Sequence, residues 1–275
     1  MGAVLGAGGD EVLLLLRPQS LAVHPDTLSL ESPLGRIETP VSLAGTLDHS
    51  VDILWVAPKA TQLEAALGAV PDPSLAGMIV PLLNGVDHVA RLRSRFEPER
   101  VSPATIAGEF ERAGPGRILH RSGFARFGFV EAGRAALAGP VERFTSFGCT
   151  CAFEASELTL LWRKLVMLAP LALNTTAAAR SVGELWADPE WSARFEASAR
   201  EACAVAVALG AGVDVEATVR TLRGFPGALR SSMQKDVAAG RPPELDAIAG
   251  PILRGGKDRR IPVPVTADLA RRIGG

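Results

Sequence analysis

Two sets of residues in this chain could do chemistry. The first comprises Gly6-Ala7-Gly8-Gly9, Arg17, Lys59 and Asn84. A glycine cluster between a strand and a helix can cradle a pyrophosphate, because glycine permits the tight turn and the close backbone approach. Here Glu11 stands where the third glycine belongs, and the chain runs straight on into Val12–Leu16, so a plain tight turn fits the cluster equally well. An arginine such as Arg17, closing the next apolar run, can grip the 2′-phosphate of NADP, where an acidic residue would favour NAD. It can also be a solvated strand-end charge, and the same applies to Lys59 and Asn84. The second set is Trp162-Arg163-Lys164, heading an apolar stretch through Leu173, with Ser231–Asp236 and Glu244-Leu245-Asp246 further on. A lysine heading a buried helix can be a desolvated acid of lowered pKa, or it can snorkel to the surface. Glu244 and Asp246 suit the first turn of a helix whether or not they have a further role.

Composition removes several other chemistries. The chain has 275 residues, with 29 basic and 30 acidic side chains and a formal net charge of -1. That balance lacks the basic footprint that nucleic-acid binding requires. Tyrosine is absent, so Tyr-Lys acid catalysis is excluded. Cys149 and Cys151 could form half of a metal site, but His24, His49, His88 and His120 are scattered singly, and no metal is expected. With Cys203 the cysteines read as free thiols. No apolar run reaches the roughly 20 residues of a membrane span, and no secretory signal opens the chain. A cytoplasmic protein without nucleic-acid or membrane partners is expected.

These residues need elements to hold them. Ala3-Val4-Leu5, Val12–Leu16, Asp52–Val56 and Met78–Leu83 read as strands of a buried parallel sheet, each ending on glycine or polar residues. Ala60–Leu67 and Val86–Phe96 have helical apolar spacing. Ligands of open α/β sheets bind beyond the carboxyl ends of the strands, which places Gly6–Gly9, Arg17, Lys59 and Asn84 on one rim. After about residue 154 the strand pattern gives way to helices over 156–180, 189–209, 215–222, 225–239, 244–253 and 266–273. The expected domains are 1–154, α/β, and 155–275, all-helical. With no covering helix after the first strand, the bare sheet face argues for a homodimer.

Asn84-Gly85 after a strand, Trp162-Arg163-Lys164-Leu165, Gly183-Glu184-Leu185, Ser231-Ser232-Met233 through Asp236, Glu244-Leu245-Asp246 and Ile261-Pro262-Val263-Pro264 occur in this order in ketopantoate reductases. The chain resembles that family over nearly its whole length. The resemblance implies a Rossmann-like parallel-sheet domain, here lacking a normal first helix, followed by a helical domain. It also implies NADPH-dependent reduction of 2-dehydropantoate in a cleft between the two. By the same resemblance Lys164 is the proton donor to the substrate carbonyl, and Ser232 binds substrate. Asn84 lies between substrate and cofactor, and Gly6, Gly8, Gly9, Arg17, Lys59 and Glu244 bind NADP(H).

The departures shape the functional expectation. About four turns of helix look absent between Gly9 and Asp10. The family's substrate-binding asparagines fall on Leu168, Ala172 and Val182, and Asn174 is nearby but about 200° round the helix from position 172. Each lost amide replaces hydrogen bonds with apolar wall, so the expected substrate is a 2-oxo acid or related carbonyl compound more apolar than 2-dehydropantoate. Two alternatives stay open: a cofactor-independent cyclase, isomerase or dehydratase using Lys164 and Glu244 as acid and base, or a non-catalytic binding protein.

Overall fold

A computed structural model describes residues 1–274, which form two compact units. Unit 1 comprises Met1–Pro58, Gln62–Leu82 and Val89–Ala155; unit 2 comprises Lys59–Thr61, Leu83–His88 and the described residues from Ser156 onward. Two short segments that follow strands in the chain therefore belong with the helical unit.

The first half of the chain contains α1 (Gly2–Ala7), β1 (Leu13–Leu15), α2 (Pro18–Leu21), β2 (Thr27–Ser32), β3 (Gly35–Pro40), β4 (Ser42–Ala44) and β5 (Val51–Val56). It continues with α3 (Leu63–Leu67), β6 (Ala76–Pro81), α4 (His88–Arg93), β7 (Ala104–Ala107), β8 (Phe110–Gly114), β9 (Arg117–His120), β10 (Arg126–Val130), α5 (Ala138–Ser146) and β11 (Thr150–Glu154). Two of the expected apolar runs pair with each other in parallel, as β5 and β6. The expected β1 pairs in parallel with β4, and β10 with β11; β4, β10 and β11 are strands that the sequence pattern did not single out. Strand β7 adds antiparallel to β10. A mixed sheet in the order β3-β2-β9-β8 was not foreseen. Its signal was present in the alternation of Leu28 and Leu30 and in the Pro33-Leu34-Gly35 turn. The core joins Leu28, Leu30, Val80, Phe127, Phe129 and Phe144, with Phe127 stacked on Phe144 at 4.4 Å between centroids.

One early expectation is overturned. Ala3-Val4-Leu5 is not a strand but the buried part of α1, and the helix precedes the glycine cluster instead of following it. Three apolar residues suit a buried strand and a short buried helix alike. Helix α1 packs against β2 and β3 of the mixed sheet and against α5.

Unit 2 contains α6 (Glu157–Ala178), α7 (Val182–Ala187), α8 (Pro189–Ala208), α9 (Val215–Arg223), α10 (Ser232–Ala238), α11 (Leu245–Arg259) and α12 (Pro264–Gly274). Ser156 caps α6, Asp188 caps α8 and Asp214 caps α9, each accepting backbone N–H bonds that the first turn would otherwise leave orphaned. Helix α6 packs on α8, α10, α11 and α12 around Trp162, Leu165, Val166, Ala169, Leu173, Ala202 and Ile252. The expected helix over 225–239 is shortened to Ser232–Ala238. Pro226 has no N–H to give, and the carbonyls of Gly227 and Leu229 instead receive the N–H groups of Gly183 and Val182 at the start of α7. Among the described residues no helix is long and apolar enough to cross a membrane, and no group of three His, Cys, Asp or Glu could hold a metal.

Candidate active site

Lys164 sits in the second turn of α6, between the buried side chains of Trp162 and Leu165. Its neighbour Arg163 turns outward and donates to the Gly212 carbonyl at 2.9 Å. Lys164 is half-buried and makes no hydrogen bond to a described residue. Burial pulls its pKa down to about 8, and the negative charge of Glu244 offsets part of that fall. The ammonium is thus an available acid poised near neutral pH.

The segments 59–61 and 83–88 converge on Glu244, which immediately precedes α11 and is 8% exposed. One carboxylate oxygen of Glu244 accepts from the Ala60 N–H at 2.8 Å, and the other from Asn84 Nδ2 at 3.3 Å. Lys59 donates to Asp236, which also accepts from Arg241 Nε at 2.8 Å. Burial opposes ionisation of Asp236, but the hydrogen bonds from Lys59 and then Arg241 outweigh it and hold the carboxyl below its ordinary pKa.

Gly85 has φ +83°, a backbone region that only glycine enters freely. A Cβ there would stand 2.3 Å from the Ala247 carbonyl oxygen, so only glycine allows this segment to press against α11. Asp87 pairs with Arg254, which also reaches Asp246. Next in the chain, His88 is buried, and both ring nitrogens lack a hydrogen-bond partner among the described residues. Burial first, then the Lys164 charge, lower its pKa to about 4, so the ring is neutral.

Unit 2 therefore assembles Lys59, Asn84, Lys164 and Glu244 of the expected residues, and adds His88 and Asp236. His88 was passed over as one of four scattered histidines. Its signal was its place four residues after Asn84, in a segment already singled out. Ser232 is exposed at the start of α10, while Ser231 is the buried cap that bonds Gln234 N and Thr175 Oγ1. Leu168 lies one turn from Lys164 on the same helical face and is partly exposed.

Three expected substrate contacts are corrected. Ala172 and Val182 are fully buried in core clusters. Asn174 is fully buried too, and its amide donates to the Pro170 carbonyl at 2.8 Å and to Ser198 Oγ at 2.9 Å. Its offset round α6 turns it toward α8, where it ties the two helices together. It has no surface to offer a substrate.

The glycines, in unit 1, do not form a phosphate cradle. Gly8 N–H bonds the Val4 and Leu5 carbonyls, and Gly9 N–H bonds Gly6 O, so these donors are already used. They lie at the C-terminal end of α1, where the helix dipole repels anions. Cβ atoms at Gly6 and Gly8 would meet Thr39 and Arg143, so these glycines serve packing. Arg17 is exposed just beyond β1, a position open to a phosphate.

The profile of ketopantoate reductase PanE/ApbA matches residues 1–132, and that of its C-terminal region matches 158–274. The 2-dehydropantoate 2-reductase of Caulobacter vibrioides is 30% identical over 259 residues, covering 88% of this chain and 84% of the relative. That of Halobacterium salinarum is 27% identical, covering 98% and 92%. A PanE/ApbA family ketopantoate reductase from Ralstonia eutropha superposes with a TM-score of 0.85 at 26% identity, covering 99% of this chain and 92% of that one. D-mandelate dehydrogenase, in a ternary structure with NADH and anilino(oxo)acetate, shares the fold at a TM-score of 0.86 and 21% identity, covering 99% and 93%. Matched along both halves in sequence and in fold, the chain belongs to the ketopantoate reductase family of oxidoreductases.

Proposed function

We propose that this protein is an NADPH-dependent reductase of a 2-oxo acid or related small carbonyl compound, with Lys164 as the proton donor. The observation that carries the reading is the half-buried, unpaired Lys164 ammonium, brought by burial to a pKa of about 8 beside Glu244. A bound NADPH would supply a hydride to the carbonyl carbon. Lys59, Asn84 and Glu244 of unit 2 are the residues proposed to hold it. As negative charge develops on the carbonyl oxygen, Lys164 stabilises it and gives up a proton, leaving the alcohol and a neutral amine. Glu244, fixed by Ala60 N–H and Asn84, keeps the ammonium from being drained of charge by burial. Ser232, exposed at the start of α10, is free to meet the substrate's polar end.

The substrate we propose is more apolar than 2-dehydropantoate. Leu168, on the Lys164 face of α6, presents an aliphatic surface where the family resemblance places an amide, and it packs against the core cluster that buries Ala172. The packed glycines favour one second reading, a cofactor-independent isomerase, cyclase or dehydratase using Lys164 and Glu244 as acid and base. Calorimetric titration with NADPH separates the two. Saturable binding, followed by NADPH oxidation with 2-oxo acids of increasing aliphatic length, is the expected result. Absence of binding at millimolar cofactor would sink the reductase reading. A homodimer is the proposed assembly: Phe110 on the edge strand β8 and the nearby Phe124 are 42% and 45% exposed, an apolar patch that a second copy would cover.

A further inference from the structure

The turn after α10 carries a charged side chain that the proposed mechanism does not use. Asp236 is 7% exposed and holds two cations. Lys59 donates to one of its carboxylate oxygens, and Arg241 Nε donates to the other at 2.8 Å. One negative charge cannot neutralise both, so the cluster has a cation in excess. Lys59 already has a proposed task in holding the cofactor. Arg241 spends only Nε on Asp236, and its two Nη groups have no hydrogen-bond partner among the described residues. The side chain is 56% exposed, so those donors are open to a ligand.

Arg241 differs from an ordinary surface arginine, whose long side chain keeps its rotamer freedom. Its own N–H bonds the Asp236 carbonyl at 2.8 Å, just after Gly240 turns the chain at φ +69°. Pro242 and Pro243 follow, and a proline disfavours helical backbone angles in the residue before it. Backbone and Nε are thus both fixed on one buried aspartate, with the Nη donors left over. Such a planar fork matches the two oxygens of a carboxylate with parallel hydrogen bonds. Ser232 and Asp236 are four residues apart on α10, so the exposed Ser232 hydroxyl and the cation cluster share a helix face. Glu244, three residues beyond Arg241, has its oxygens engaged by Ala60 N–H and Asn84 and does not compete for the guanidinium. A substrate meeting Leu168, with Ala172 and Val182 buried, has few polar groups to grip it, so a charged anchor carries most of the recognition.

We propose that Arg241 binds the carboxylate of the substrate, its Nη groups donating to the two oxygens, with the Ser232 hydroxyl beside it on the α10 face. The proposal rests on reading the substrate as a carbonyl compound reduced at this site, and it narrows that class to 2-oxo acids with an ionised carboxyl group. Asp236 is then the brace that aligns two cations. A phosphate of the cofactor would satisfy the same donors, and the experiment separates the two sources.

The test titrates the full-length protein calorimetrically with 2-oxohexanoate and with its neutral primary amide, each with and without NADP+. Both partners are then oxidised, so binding is read without turnover. The parent should bind the acid about a hundredfold more tightly than the amide. Arg241→Met should erase that preference by weakening the acid about a hundredfold, with amide and NADPH affinities kept within about twofold. Arg241→Lys, which has the charge without the fork, should keep a preference of about tenfold. An arginine that only neutralises Asp236 would lower the melting temperature on removal and leave the acid-to-amide ratio unchanged. That result overturns the proposal, and so does a parent without the preference. Weaker NADPH binding in Arg241→Met with acid affinity intact also overturns it, by assigning the fork to a cofactor phosphate. Should Arg241→Met fail to fold, Arg241→Lys decides alone: weaker acid binding with the amide unaffected supports the contact, and parent-like acid binding refutes it. Acid binding that depends on Arg241, in a protein that oxidises no NADPH with 2-oxo acids, would sink the proposed reaction while leaving the carboxylate site standing.

Discussion

Lys164 is costly to the fold in the charged form that the proposed reaction would use. Its pKa in the folded chain is about 8, below its ordinary value of 10.5, so folding disfavours the ammonium. The unfolded chain holds more protons between those two values, and stability therefore rises with pH across that interval. At neutral pH the full penalty is present. Lys164→Met should accordingly melt higher than the parent at pH 7, by an increment on the order of 2 kcal/mol, while losing turnover. Calorimetry at pH 7 and pH 10.5 checks this: the advantage of the variant should shrink at the higher pH. Under the proposed reaction catalysis has the opposite slope, because reduction would need the protonated amine, so kcat should decline as pH rises through about 8. Lys164→Ala should lower kcat by about two orders of magnitude, far more than it raises KM. Lys164→Arg should not rescue, because a guanidinium does not release its proton in this range. Near-full turnover in the alanine variant would show that Lys164 is only a helix-borne charge.

Elements matter here through the places where two of them touch. Gly85 combines a left-handed backbone with a 2.3 Å approach of its would-be Cβ to the Ala247 carbonyl. Gly85→Ala should cost about 1–3 kcal/mol of stability and lower turnover as well, since it pushes Asn84 away from Glu244. Thermal denaturation and steady-state kinetics on the same preparation test both. Asn174 makes the contrasting case. It joins α6 to α8 through Ser198 and has no exposed surface. Asn174→Ala should destabilise by about 1–2 kcal/mol, yet the folded variant should keep its KM. A rise in KM without loss of stability would return Asn174 to the substrate site.

At the scale of the whole molecule the expected quantities are assembly and linkage. Light scattering at micromolar concentration should give twice the mass of the chain, and Phe110→Lys, with Phe124→Lys if needed, should return a monomer. A clean monomer in the parent would remove the second-copy reading of that patch. Cofactor bound to the folded state alone should raise the melting temperature with the logarithm of its concentration, and NADPH should do so at lower concentration than NADH if Arg17 receives the 2′-phosphate.

Much of the architecture was legible without coordinates. Apolar runs closed by polar residues marked β1, β5 and β6, and helical apolar spacing marked α6, α8, α9, α11 and α12, because both signals are local and periodic. The order of motifs from Asn84-Gly85 to Ile261-Pro262-Val263-Pro264 was sufficient to reach the family. What stayed hidden depends on contacts distant in sequence. Three apolar residues at 3–5 could not say strand or helix until α1 had packed on β3. The direction of Asn174 was decided by α8. The pairing of Lys59 with Asp236 spans 177 residues, and that of Ala60 with Glu244 spans 184. No periodicity encodes such distances. Residue types settled which chemistry was possible, and burial in the folded chain decided which lysine had its pKa lowered and which histidine was left without a partner.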